Sequence, residues 1–164
     1  MGTTVLYKKS GKQLHYWEFW ENDNGEITFH WGPVGELGET TDVLPKENDE
    51  EKKAYIQRHI QEKLHEGYIH IPLDDYETLI IEYSITGQWG TDEELAKRRE
   101  LQKEMVEILG WRGLGYCDGG STGAGTMEVC CLVIDFELAK RCVMSVLKDT
   151  KFADYASIYA EQGD

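Results

Sequence analysis

The residues able to do nucleophilic or metal chemistry are segregated along this chain. All five histidines (His15, His30, His59, His65, His70) precede residue 71, and all four cysteines (Cys117, Cys130, Cys131, Cys142) follow residue 116. A thiolate–imidazole pair would have to be assembled between two distant stretches, and the spacing supplies no third group to orient the base. The cysteines lack Cys-x-x-Cys spacing, so they read as reduced thiols, with Cys131 and Cys142 as core residues. His15 and His30 could share a face of a hairpin, but zinc would need further ligands that no motif supplies. The acidic run from Glu47 to Glu51, interrupted by Asn48, lacks the alternating oxygen ligands and central glycine of a calcium loop. It suits the start of a helix, where negative charge complements the dipole. The expectation is a chain with no enzymatic activity, no metal and no cofactor.

Two stretches could bind something. Gly119-Gly120-Ser121-Thr122-Gly123-Ala124-Gly125 could cradle an anion with successive backbone N–H groups. Asp118 and the hydroxyls of Ser121 and Thr122 would add polar contacts. Against a phosphate loop, the Gly-Lys-Ser/Thr ending is absent and the stretch leads into a strand instead of a helix. The expected form is a flexible hairpin tip shaped to meet a partner. The second candidate is Trp31-Gly32, at the end of an alternating strand. An indole there either braces the sheet against a helix or offers a stacking platform. Lys8, Lys9 and Lys12 form the nearest basic cluster, as phosphate contacts or as a solvated strand end.

The elements that must position these residues can be read from periodicity. Leu14 to Trp20 is strand-like, and Asn22-Asp23-Asn24-Gly25 is a strong turn signal. Ile27, Phe29 and Trp31 alternate with Thr28 and His30, the pattern of a strand with one buried face. A turn centred on Asp23-Asn24 would set Trp17 opposite His30 and Tyr16 opposite Trp31. Val5-Leu6-Tyr7 and Thr41 to Leu44 add flanking strands. Asn48 caps a helix with an Ile56, Ile60, Leu64 stripe, ended by Gly67. The segment Ile71 to Thr78 is the boundary, dividing the chain into domains at 1–73 and 74–164.

In the second part, Leu79 to Ile85 reads as a strand. Thr91 and Glu94 form a capping box opening a helix whose Leu101, Met105 and Leu109 face inward, with Gly110 closing it. Leu114 to Cys117, Met127 to Ile134 and Tyr155 to Tyr159 read as strands. Asp135 opens a helix carrying Leu138, Cys142, Val143, Val146 and Leu147. The expected fold class is α+β: a small antiparallel sheet with one helix, followed by a β-α-β-β-α-β ferredoxin-like domain.

The first ~70 residues resemble a WGR domain, named for Trp-Gly-Arg. The resemblance rests on the aromatic strand with Tyr16, Trp17 and Phe19, then Trp31-Gly32-x-Val34-Gly35-x-x-Gly38, then a helix ending Lys63-Leu64-x-x-Gly67-Tyr68. In poly(ADP-ribose) polymerases such a domain contacts a DNA end, so the resemblance implies a nucleic-acid-end binder in which Trp31 stacks and Lys8, Lys9 and Lys12 touch phosphate. The third letter here is Pro33. Arginine offers five donors in a rigid fork and proline none, so whatever depends on that cation is lost.

Charge narrows the partners further. The chain carries 17 Lys/Arg against 31 Asp/Glu, a net of −14. Residues 1–73 hold eight basic and 13 acidic side chains, and residues 74–164 hold nine and 18. Both parts would repel a phosphate backbone, whose non-specific capture depends on Lys and Arg. No apolar run approaches the ~20 residues of a membrane span, and no signal-like start is present, so the expected address is cytoplasmic. The combined reading is an acidic binding protein, an adaptor, regulatory subunit or immunity-type protein, whose partner is a protein, a basic one in the immunity-type version. Nucleic acid is the competing partner through the WGR-like part. A small-ligand sensor in the second domain is a third reading, by analogy of fold.

Overall fold

The computed structural model describes residues 4–44 and 48–162; Glu47 of the acidic run lies outside them. The chain is mixed α/β and divides into two compact units, Met1–Pro72 and Leu73–Asp164. Each holds one four-stranded antiparallel sheet, and among the described residues there are three α-helices in all.

In the first unit β1 (Val5–Ser10), β2 (Gln13–Glu21), β3 (Ile27–Pro33) and β4 (Glu39–Val43) lie in simple sequential order. The β2–β3 connection closes through Gly25 N–H to the Asn22 carbonyl and Asn22 N–H to the Glu26 carbonyl, with Gly25 left-handed at φ 84°. This is a three-residue loop ending in a glycine bulge, not a two-residue turn. The difference moves the register by one. Trp17 pairs with Trp31, Tyr16 with Gly32 and Glu18 with His30, where a turn on Asp23-Asn24 would have set Trp17 against His30. Because strand side chains alternate, the observed register sorts the sheet into two faces. Leu6, Trp17, Ile27 and Phe29 form the apolar core of one face, with Phe19 and Trp31 packed beside them. Tyr7, Tyr16, Glu18, Thr28 and His30 are buried on the other.

Helix α1 (Asp49–His65) starts at Asn48, whose side chain accepts from the N–H groups of Glu50 and Glu51. It contributes Tyr55, Ile56 and Ile60 to the core, while Leu64 is largely exposed. The inward stripe is therefore rotated toward Tyr55 and His59, whose imidazole lies 4.8 Å from the Phe29 ring. The helix ends in a Schellman motif: Tyr68 N–H bonds the Lys63 carbonyl and Gly67 N–H the Leu64 carbonyl, with Gly67 at φ 100°.

The second unit runs β5 (Glu77–Ser84), α2 (Asp92–Gly110), β6 (Gly115–Gly123), β7 (Thr126–Val133), α3 (Phe136–Leu147), β8 (Ser157–Ala160), with sheet order β6-β7-β5-β8. The capping box at Thr91 and Glu94 is present, and Leu101, Met105, Ile108 and Leu109 are buried. The helix ends on Gly110, as expected. Trp111 caps it, and the left-handed glycine is Gly113 at φ 61°. One face of the sheet, with Leu79, Ile81, Met127, Val129, Cys131 and Val133, packs with Ala139, Val143 and Leu147 of α3 into the core.

The glycine-rich stretch is the main correction. Asp118 through Gly123 is not a loop: it forms the outer half of β6, paired with β7 as far as Gly123 opposite Thr126. Only Ala124 and Gly125 form the turn, at φ 53° and 85°, the two positive angles a tight type I′ hairpin requires. Space explains the glycine at position 120. A Cβ on Gly120 would stand 2.7 Å from the Glu128 carbonyl oxygen and 3.4 Å from side-chain carbons of Arg98 and Gln102 on α2.

Candidate functional site

Trp31 and Gly32 lie at the end of β3, where the chain leaves the sheet through Pro33 and returns at Glu39. An open cleft of about 520 Å³ forms there, lined by His15, Trp31, Gly32, Pro33, Glu36, Leu37, Gly38 and Glu39. Its charged lining is two glutamates, and none of the lining residues is lysine or arginine. The indole is half-buried because it also packs against the core of Leu6, Trp17 and Phe29. One side chain thus braces the sheet and forms part of the cleft wall.

A buried hydrogen-bond network beneath the cleft fixes its shape. His30 is 0% exposed and Glu18 8%. His30 Nδ1 lies 2.7 Å from Glu18 Oε1, and Nε2 lies 2.7 Å from the Leu37 carbonyl and 3.0 Å from the Tyr16 hydroxyl. A carbonyl only accepts, so Nε2 carries a proton; a second proton sits between Nδ1 and the carboxyl. The Tyr16 hydroxyl donates to the Glu36 carbonyl at 2.9 Å, leaving its lone pairs to accept from Nε2–H. Strand residues Tyr16, Glu18 and His30 therefore clamp the carbonyls of Glu36 and Leu37, two residues of the cleft wall. Although tyrosine, histidine and glutamate in a row suggest proton relay, both imidazole nitrogens are already engaged. A general base needs one of them turned toward a reactant.

Burial raises the Glu18 carboxyl above its ordinary 4.5, outweighing the opposing bond and charge of His30. The folded state then holds this proton over a pH range in which the unfolded chain has released it. The resulting stability is full below 4.5 and is lost as pH rises through the folded value. Glu18→Gln, which cannot titrate, is expected to flatten that limb when urea midpoints are compared between about pH 4 and pH 8. Parallel curves for the two proteins would assign the limb to another group.

The other sequence candidates lie elsewhere. Lys8 pairs with His15, and His15 with Pro33, so two inter-strand steps of about 5 Å each separate Lys8 from β3. Its ammonium lies 5.8 Å from the Tyr68 ring centre, and Lys63 lies 5.5 Å from the same ring. Lys9 and Lys12 are exposed at the end of β1 and in its turn. None of the three lysines lines the cleft.

In the second unit, Asp118 is the bulged residue between Cys117 and Gly119. Thr122 Oγ1 accepts from Arg98 Nη1 at 2.6 Å, and Ser121 faces Glu128 at 3.4 Å. Engaged in this way, the Asp118–Thr122 backbone belongs to a β-ladder and cannot curl around an anion. Among the described residues no group of three or more His, Cys, Asp or Glu side chains could hold a metal ion, and no helix is long and apolar enough to cross a membrane.

Sequence reasoning missed Glu18. Its signal was available: a glutamate two residues after Tyr16 in an aromatic strand, standing opposite His30 once the register is right. Compared with known proteins, the chain matches no family model, no curated sequence and no solved structure.

Proposed function

We propose that the first unit is a WGR-like scaffold acting as an acidic, non-enzymatic binding module for a protein partner with a basic contact surface, and that the second is a ferredoxin-like companion domain. The observation carrying the function is the cleft beside Trp31, where Pro33 stands in place of the motif's arginine and Glu36 and Glu39 supply the charge. An aromatic wall with carboxylates suits the guanidinium or ammonium of a partner's Arg or Lys. Such a cation is attracted to an indole by about 0.5–1 kcal/mol at an exposed site. The net charge of −14 adds long-range steering toward a basic surface and repels a phosphate backbone. An adaptor, a regulatory subunit and an immunity-type protein that neutralises a basic toxin would all use this chemistry.

Two kinds of observation support the scaffold readings. For the WGR-like unit they are the tight approach of Gly32 and Gly38, the four sequential strands, and a helix ending Lys63-Leu64 before Gly67-Tyr68. For the ferredoxin-like unit, the sheet order β6-β7-β5-β8 places the first and third strands of the β-α-β-β-α-β run side by side at its centre.

The test titrates the full chain with a fluorescent arginine-rich peptide and, separately, with nicked duplex DNA at low salt. Saturable peptide binding is expected. It should weaken several-fold in Trp31→Ala and in Glu36→Gln/Glu39→Gln, and be stripped by about 0.5 M salt. Tight duplex capture that depends on Trp31 would overturn this reading in favour of the nucleic-acid one.

A further inference from the structure

Independently of the binding cleft, the second unit holds a pair of thiols placed to react with each other. Cys117 on β6 and Cys131 on β7 are Cα partners. The bond from Ile134 N–H to the Leu114 carbonyl sets the phase of this antiparallel ladder. Residues 114 and 134 are a hydrogen-bonded pair, 115 and 133 are not, 116 and 132 are, and Cys117 with Cys131 falls at a non-hydrogen-bonded site. At such sites the Cα atoms approach to about 4.5 Å and the side chains come closest. That separation lies within the range of roughly 4.4–6.8 Å spanned by disulfides. The remaining adjustment has a place to occur, because the ladder is broken by the Asp118 bulge directly after Cys117, followed by Gly119 at φ 141°. Cys130, one residue from Cys131, projects to the opposite face of the sheet and pairs with Gly119.

We propose that Cys117 and Cys131 form a reversible redox pair, in which hydrogen peroxide oxidises Cys117 and Cys131 then closes a cross-strand disulfide. The division of labour follows from their surroundings. Cys117 is partly exposed and Cys131 wholly buried. A hydrogen bond from the Cys131 thiol, against the opposing effect of burial, lowers the Cys117 thiol to about 7. The same bond, together with burial, holds Cys131 in its protonated form. Cys117 is therefore the more readily ionised of the two thiols, and the thiolate is the form that attacks peroxide.

In the first step the Cys117 sulfur attacks a peroxide oxygen. The O–O bond breaks, hydroxide leaves and is protonated to water, and Cys117 becomes a sulfenic acid. Oxidation removes the Cys117 thiolate whose bond and charge kept Cys131 protonated, and the Cys131 sulfur attacks the Cys117 sulfur as it gives up its proton, so that the S–S bond forms and the S–O bond breaks. The Cys131 proton departs with the hydroxyl as a second water. Two thiols thus lose two electrons to one peroxide. A dithiol reverses the bond by thiol–disulfide exchange, returning both thiols.

The experiment treats the fully reduced chain with hydrogen peroxide, quenches it, alkylates the remaining thiols and maps the peptides by mass spectrometry. Two of the four cysteines are expected to escape alkylation, joined in one linked peptide containing Cys117 and Cys131 and released by dithiothreitol. Cys117→Ser should abolish the link. Cys131→Ser should leave a dimedone-reactive sulfenic acid on Cys117. Should Cys131→Ser fail to fold, Cys130→Ser gives the deciding arm, because it must leave the Cys117–Cys131 link intact. Four alkylatable thiols after oxidation of the wild-type chain, or a link through Cys130 or Cys142, would overturn the proposal.

Discussion

His30→Ala is expected to cost the first unit about 3–5 kcal/mol of unfolding free energy, the usual penalty for removing one member of a buried pair. The substitution takes a partner from three groups at once. Glu18 loses its 2.7 Å partner, the Leu37 carbonyl its 2.7 Å donor, and the Tyr16 hydroxyl its 3.0 Å contact. Neither protonation state rescues Glu18: ionised, it is a buried charge without a counterion; neutral, it is a donor without an acceptor. The vacated imidazole volume also leaves a void beside the Tyr16 and Trp20 rings, whose centres lie 4.9 and 5.8 Å from the His30 ring. Urea titration should show a lower midpoint at unchanged slope. Hydrogen exchange should place the loss in β2 and β3, leaving β5–β8 protected. A cost below about 1 kcal/mol would mean that water reaches the network and replaces the imidazole's bonds.

That network also shows where sequence reading succeeds and where it stops. Segments whose apolar residues recur with a single period were legible: Ile27, Phe29 and Trp31 on β3, and Leu101, Met105 and Leu109 on α2. Helix ends with dedicated chemistry were legible too, since Asn48, Thr91 and Asp135 each accept backbone N–H bonds in their expected places. Pairing was not. Whether a loop holds two residues or three depends on where a single glycine turns left-handed. At Gly25 that choice decides whether His30 faces Trp17 or Glu18. A one-residue slip hid Glu18, the charged residue that faces His30 across β2 and β3, and with it the clamp that shapes the cleft.

The glycine-rich stretch failed for a different reason. Glycine weakens an isolated strand and marks turns, so Asp118–Gly125 reads as a loop when taken alone. Gly120 answers instead to long-range packing. It lies under Arg98 and Gln102, and a Cβ there would stand 2.7 Å from the Glu128 carbonyl oxygen. Local composition cannot report a clash with residues that are distant in sequence. The candidate site was legible in its centre, Trp31 and Gly32, but not in its walls. Glu36, Leu37 and Glu39 become a cleft only because the intervening loop is tied down by strand residues far away in the chain.

The same tie gives the second large effect, at Gly38. Gly38→Ala is expected to destabilise the first unit by about 3–5 kcal/mol, at the upper end of single substitutions. The position sits at φ +68°, and an added Cβ would stand 2.3 Å from both the Trp31 carbonyl oxygen and the Tyr16 hydroxyl. Neither atom can yield cheaply. The carbonyl belongs to a paired strand, and the hydroxyl is held between His30 and the Glu36 carbonyl. Gly11→Ala is the control, with nearly the same backbone angle, φ +63°, and nothing within 4 Å of the added carbon. It should cost only the left-handed penalty of about 1–2 kcal/mol, so the difference between the two isolates the collision. Equal losses in denaturant titrations would mean that the loop shifts to accept a methyl group. The cleft would then be soft, and its fit to a partner's cation would owe little to preorganisation. A much larger loss at Gly38 means that Trp31, Gly32 and Gly38 form one rigid unit, whose glycines are required by the close approach of two backbones before any ligand is considered.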